Sequence, residues 1–241
     1  MRDSSPYQAV IFDMDGLMFD TERLARLGWE SAFAENGYTL TNAFYQTLIG
    51  KAIPTVRRMM EEEYGADLPF EAVYARCQQI YENWLAQEGV PLKPGLVGLL
   101  QFLHTRRIPL AVGSSTPRDF GKQKLAASGL GGYFKAFAFG DDVANGKPAP
   151  DIFMLAAKRL GMRIERCIVL EDSPSGVHAA HAAGALALMV PDSIAPAPDT
   201  AALAYRVLPS LDAAQPVIAR LLNLTLDSPV SGFEPGGDRL G

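Results

Sequence analysis

The chain of 241 residues is 48% hydrophobic, 20% charged and 9% aromatic, a composition able to bury a sizeable core in one large domain or two modest ones. Its 22 Lys and Arg against 27 Asp and Glu give a net charge of -5, which excludes a general electrostatic grip on nucleic acid or an anionic membrane; any anion must be held by a few local groups. Cys77 and Cys167 form no CxxC pair and no zinc pattern, no run of about 18 apolar residues could span a membrane, and the polar stretch Met1–Tyr7 lacks the apolar core of a signal peptide, so a cytoplasmic setting is expected.

The continuous apolar run Ala9-Val10-Ile11-Phe12 predicts a strand buried on both faces, as in a parallel sheet. From Glu22 to about Gly89 no strand pattern occurs. Ala25, Trp29, Ala32 and Phe33 are helix-spaced, as are Val56, Met59, Met60 and Tyr64, and then Phe70, Val73, Cys77, Ile80, Tyr81, Trp84 and Leu85, which predicts an inserted helical bundle whose core these side chains form. After Val90–Gly95 the face Leu96, Leu99, Leu100 and Leu103 marks another helix. Strands are expected at Ile108–Val112, Ala136–Phe139, Cys167–Leu170 and Ala185–Val190. Between them, one helix runs from near Pro150 to Gly161 and another from Ser173-Pro174 to Gly184. The Gly-, Pro- and Asp-rich stretch 225–241 is expected to be a disordered tail. The alternation predicts an α/β fold, a doubly wound (Rossmann-like) parallel-sheet core over residues 1–20 and 91–224 with an inserted helical-bundle domain over 21–90.

Open α/β sheets bind ligands beyond the carboxyl ends of their strands. The residues leaving these strands are Asp13-Met14-Asp15-Gly16, Gly113-Ser114-Ser115-Thr116, Gly140-Asp141-Asp142 and then Gly146-Lys147-Pro148, and Glu171-Asp172-Ser173. Carboxylates gathered at one edge repel unless a cation holds them. Magnesium is a hard ion with oxygen ligands that usually also holds a substrate phosphate, and a lysine with small hydroxyls completes an anion pocket. Each cluster also has a plainer reading. Asp13 and Asp15 can be a solvated strand end, Ser114-Ser115-Thr116 before Pro117 a helix N-terminus, Glu171-Asp172 a helix-start acid pair, and Asp141 and Asp142 loop residues or residues that support the site from behind its ligands, in place of metal ligands. His178 and His181 lie three apart on one helix without a third ligand and read as surface residues, as His104 reads as structural. Gly140 to Lys147 fails as a P-loop, with five residues between the glycines and Pro148 in place of Ser or Thr.

The ordered set Phe12-Asp13-Met14-Asp15-Gly16-Leu17, Ser114-Ser115, Gly146-Lys147-Pro148-Ala149-Pro150-Asp151 and Leu170-Glu171-Asp172-Ser173-Pro174-Ser175-Gly176 resembles the four motifs of the haloacid dehalogenase superfamily over about residues 8–191. It is similar to the capped branch that holds β-phosphoglucomutase and small sugar- and nucleotide-phosphate phosphatases. Asp20-Thr21-Glu22-Arg23-Leu24, Gly50-Lys51 and Gly140-Asp141-Asp142 give it a pseudouridine-5′-phosphatase-like look. The resemblance implies an enzyme that hydrolyses a small phosphomonoester through an aspartyl-phosphate. Asp13 is then the nucleophile and Asp15 the general acid and base. Lys147 pairs with Asp13 and the phosphoryl group, which Ser114 and the backbone of Ser115 also bind. Magnesium sits on Asp13, the Asp15 carbonyl and Asp172, with Glu171 beside it. Asp20 and Thr21 would hinge a cap whose Gly50-Lys51 loop serves substrate choice, although Asp20-Thr21 can equally be a simple helix cap and Lys51 a solvated lysine. The expected partner is a phosphorylated metabolite, and the expected state a monomer or weak dimer.

Where the mutase subgroup carries a cap histidine, arginine and lysine, this chain has Ala25, Ile53 and, nearby, Cys77. Without them a second phosphate has no hold, which favours phosphatase over sugar phosphomutase. A phospho-accepting receiver-like signalling module shares an Asp, an acidic pair, a hydroxyl and a lysine, but has no helical insert and no second Asp of the DxD pair. A catalytically silent protein with an inherited pocket is a third reading.

Overall fold

The computed structural model describes residues 5–49, 53–192 and 195–226. Lys51 and residues 227–241 of the expected tail lie outside the described residues. The chain divides into two compact units, one formed by Thr21–Gly89 and the other by the chain up to Asp20 and from Val90 onward.

The second unit is built on a parallel sheet. In chain order its strands are β1 (Ala9–Phe12), β2 (Leu110–Gly113), β3 (Ala136–Ala138), β4 (Cys167–Glu171), β5 (Leu186–Met189) and β6 (Arg206–Val207), arranged in space as β3-β2-β1-β4-β5-β6. Every pair is parallel, and Phe12 stands level with Val112 on one side and Leu170 on the other. β1 and β4 have every residue buried, which explains their unbroken apolar runs. The strand order reverses at β1, so a crevice opens at its carboxyl end.

The helices of this unit, with α1 to α4 assigned to the insert, are α5 (Leu96–Thr105), α6 (Arg118–Ala127), α7 (Asp151–Leu160), α8 (Pro174–Ala183), α9 (Pro198–Leu203) and α10 (Leu211–Leu221). Leu96, Leu99, Leu100 and Leu103 are fully buried, as are Ile152, Phe153 and Ala156. Ser173 caps α8 by accepting from the Gly176 amide at 3.1 Å, with Pro174 in its first turn, and Gly161 and Gly184 end α7 and α8. One expectation is corrected. Ser114-Ser115-Thr116 does not cap α6, which starts at Arg118 after Pro117; the Arg118 amide is met instead by the Asp141 carboxylate at 3.1 Å. The two-residue strand β6 is too short to show a pattern in the sequence.

The insert holds α1 (Thr21–Glu35), α2 (Asn42–Leu48), α3 (Ile53–Tyr64) and α4 (Phe70–Glu88). Trp29, Phe33, Tyr45, Met60, Phe70, Val73 and Cys77 form its core, with Trp29 and Phe70 rings 6.1 Å apart. Cys77 is thus a packed apolar side chain, and burial pushes its thiol up to about 12. Ile80, Tyr81, Trp84 and Leu85 are only partly buried and stand outside this core cluster, because the aromatic residues close around the first half of α4. α2, a seven-residue helix capped by Thr41, is too short to show periodicity. Among the described residues no helix is long and apolar enough to cross a membrane.

Candidate active site

The end of β1 projects Asp13 into the crevice. Its backbone N–H continues the ladder to Leu170 O at 3.0 Å, which fixes where the side chain begins. The Asp13 carboxylate is almost fully buried and accepts a hydrogen bond from Lys147 Nζ, which also donates to Glu171 Oε1 at 2.6 Å. Oxygens of Asp13, Glu171 and Asp172 come within 4.8 Å of one another. Burial is the main influence on Asp13 and raises its pKa to about 7; Lys147 opposes the rise and Glu171 adds to it. Burial, then Glu171 and Asp13, likewise push Asp172 well above the usual carboxylate range. Burial alone would lower the Lys147 ammonium, but Asp13 and Glu171 outweigh it and hold the proton on.

Asp15 is held differently. Its Oδ1 accepts from Lys124 Nζ at 2.6 Å and its Oδ2 from the Thr116 hydroxyl at 2.5 Å. The chain turns at Gly16, whose φ of +87° suits glycine and where a Cβ would lie 2.2 Å from Asp172 Oδ2. Ser114 is buried, and its Oγ accepts from the Thr116 amide at 3.1 Å, which shapes the loop after β2. Asp13, Asp15, Ser114, Ser115, Thr116, Lys147, Glu171, Asp172, Ser173 and Ser175 line one pocket.

The chain from residue 7 to 184 matches the model of the haloacid dehalogenase-like hydrolases. It belongs to that family. It is 37% identical over 188 residues to a Drosophila melanogaster protein named "Probable pseudouridine-5′-phosphatase", covering 76% of this chain and 80% of the relative. It is 33% identical over 181 residues to a phosphorylated carbohydrates phosphatase of Thermotoga maritima, covering 73% and 82%. A solved haloacid dehalogenase family hydrolase of Deinococcus radiodurans with bound phosphate and sodium superposes with a TM-score of 0.78 at 28% identity, covering 92% of this chain and 99% of that one.

The family fold therefore brings Asp13, Asp15, Ser114, Ser115, Lys147, Glu171 and Asp172 to one pocket. Asp20 lies where the insert leaves the sheet unit: its amide donates to Pro91 O at 2.9 Å and its carboxylate faces Lys93 at 3.7 Å. Thr21 is buried at the start of α1, and Lys51 is outside the described residues. Among the described residues Asp13, Glu171 and Asp172 are the group able to hold a metal, so His178, His181, Asp141 and Asp142 stay out of it.

The donors suit a hard divalent ion. They are all carboxylate oxygens, and the raised Asp13 and Asp172 reflect negative charge that burial leaves under-compensated. Sequence reading placed Thr116 in the hydroxyl cluster of the pocket but not on Asp15, and it missed Lys124, which also donates to Asp15, and the anchor of Glu171. Glu171 is fully buried, and its Oε2 accepts from the Ser173 amide at 2.7 Å and the Ser173 hydroxyl at 2.9 Å. A Cβ at Gly176 would lie 1.7 Å from Glu171 Oε1. The motif glycine thus makes room for this carboxylate.

Proposed function

We propose that this hydrolase is a magnesium-dependent phosphatase of small phosphomonoesters, a sugar phosphate or a nucleotide or nucleoside phosphate. The observation that carries the reading is the buried Asp13 carboxylate, paired with Lys147 and set among Glu171 and Asp172 at the crevice end of β1. The relatives named as phosphatases support it.

Asp13 Oδ attacks phosphorus, forming an acyl phosphate as the bond from phosphorus to the ester oxygen breaks. Asp15 delivers a proton to the departing alkoxide, then takes one from the water that attacks phosphorus, and the Asp13 carboxylate is restored. Ser114 and the Ser115 backbone hold phosphoryl oxygens, and Lys147 offsets the repulsion between Asp13 and the anionic substrate. Asp13, Asp172 and the Asp15 carbonyl would hold magnesium beside Glu171, and the ion when bound would neutralise charge shared by the carboxylates and the phosphoryl group. The test is a screen of phosphorylated metabolites scored by inorganic phosphate released. Release with magnesium that disappears in chelator is expected. Equal release in both, or none from any phosphomonoester, overturns the reading.

Ala25, Ile53 and Cys77 support hydrolysis over phosphoryl return to a second position, since none offers a cation, and Cys77 lies in the insert core. Residues 1–20 and 91–224 are read as the catalytic core and 21–90 as its cap.

Gly176→Ala tests the metal reading from another side. The new methyl must push Glu171 off Lys147 or off Ser173. Disturbing groups that orient metal ligands typically costs roughly 10–100-fold in metal affinity. The magnesium concentration for half-maximal activity should rise by about that much, with the circular dichroism spectrum unchanged. An unshifted magnesium response would remove Glu171 from the metal's surroundings.

A further inference from the structure

We infer that Asp142 is a positioning residue, bracing the loop of Ser114 and Ser115 against the loop that carries Lys147. The inference rests on the phosphatase reading, since it concerns how donors from two loops are held to meet one phosphoryl group.

The two loops leave neighbouring strands, β2 and β3, and touch backbone to backbone. Ser114 N donates to Ala138 O at 3.0 Å and Gly140 N to Thr116 O at 2.9 Å, and a Cβ at Gly140 would lie 2.1 Å from Ser115 O. On this seam both oxygens of Asp142 are in use. Oδ1 accepts from the Arg118 guanidinium at the start of α6. Oδ2 accepts from the Phe139 amide at 2.9 Å and from Arg159 Nη1, on α7, at 2.5 Å. Arg159 Nη1 also donates to Phe137 O at 2.7 Å. One carboxylate therefore joins the start of α6, the exit of β3 and the last turn of α7. Asp141 reinforces the join by accepting from the Arg118 amide.

Isolated surface ion pairs contribute little, but this carboxylate is only 9% exposed and serves a network. Burial by itself would raise its pKa, yet the hydrogen bonds from Arg159, the Phe139 amide and Arg118 bring it down to about 2, so Asp142 is charged at any working pH. Neither arginine is needed at the phosphoryl group for the brace to act. Arg118, at the start of α6, ties to Asp142 the end of the loop whose backbone and Ser114 hydroxyl present donors to it, and Arg159 ties Asp142 to the end of β3. A donor set held from two loops loses affinity for its anion when the loops drift, even while each residue is present.

The experiment compares wild type, Asp142→Asn, Arg118→Gln and the double variant in magnesium. Calorimetric titration with inorganic phosphate gives the affinity, an aryl phosphate gives KM and kcat, and thermal melting reports folding. Losing one charge-assisted hydrogen bond from the brace should weaken phosphate binding and raise KM by on the order of tenfold in each single variant. The double variant should be no weaker than the worse single, and the magnesium response should not change. Folded variants that bind phosphate as tightly as wild type, or losses that multiply in the double variant, overturn the brace, whatever the melting temperature does. Should Asp142→Asn fail to fold, Arg118→Gln decides alone, because its side chain is partly exposed. A wild-type protein that neither binds nor releases phosphate overturns the phosphatase reading and the brace together. One that turns over normally beside unaffected variants overturns the brace alone.

Discussion

Asp13→Asn should abolish turnover and, without magnesium, make the protein more resistant to heat. The first half rests on the assigned chemistry. A carboxamide cannot form the acyl phosphate, and removing a covalent nucleophile commonly costs on the order of a thousandfold or more. The second half rests on the site. Asp13, Glu171 and Asp172 crowd within 4.8 Å, and Lys147 already divides its ammonium between Asp13 and Glu171. With its pKa raised from 3.8 to about 7 by burial, Asp13 favours the folded state most when protonated, below about pH 4, and this contribution is lost as pH rises through about 7. An asparagine of the same shape is neutral at every pH. It can turn its oxygen to Lys147 and its amide toward a carboxylate.

The variant should therefore melt higher than wild type in chelator at pH 8, by at least roughly 2–4 °C, the equivalent of about 1 kcal/mol in a chain of this size. The gap should shrink at pH 5, where wild-type Asp13 is itself protonated, and shrink again when magnesium is added. Scanning calorimetry at the two pH values, with and without the ion, reads all three. A variant that keeps most of the wild-type rate would remove Asp13 from the nucleophile's place. A variant that melts lower in chelator at pH 8 would mean that the pair with Lys147 outweighs the crowding.

The sheet and the members of the site were legible because strand ends leave a mark in one dimension. Residues 9–12 and 167–170 are unbroken apolar runs, and the residues just after each run must stand at the carboxyl edge. Motif order then supplied Ser114 and Lys147. The supports of those side chains left no such mark. Lys124 meets Asp15 from the second half of α6, 109 residues along the chain, and on the helix it is one of two lysines with nothing to tell them apart. Ser173 was readable as a helix cap, but its second task, holding Glu171, depends on how β4 ends against α8. The capping reading of Ser114-Ser115-Thr116 failed for a related reason. The donor they were expected to satisfy, at the start of α6, is met by Asp141 from the next loop, which frees the hydroxyls to face the pocket and Asp15. Pair separation also hid the Asp142 network, since Arg118 and Arg159 lie 24 and 17 residues away on either side.

For Asp15→Asn the expected loss depends on the leaving group. Both carboxylate oxygens are held, one by Lys124 and one by Thr116, so the side chain has a fixed place on the wall of the pocket that contains Asp13. Asparagine can still accept from Thr116, which leaves the fold of the loop largely intact while removing the proton donor. An aryl phosphate releases a phenolate of low basicity and needs little protonation as its bond to phosphorus breaks. A sugar or nucleotide phosphate releases a far more basic alkoxide, and for it general acid help is typically worth about 10²–10⁴-fold. Formation of the phosphoenzyme should accordingly slow by that much for the alkyl ester and by much less for the aryl one. Rapid-quench measurement of this step isolates it from the later attack of water, in which the proposed mechanism makes Asp15 the base whatever group has left. For the aryl substrate the variant should then accumulate phosphoenzyme, because formation survives while hydrolysis is slowed. Equal slowing of formation with both esters would instead assign Asp15 to shaping the pocket, and an aryl reaction without accumulation would take the base role from it.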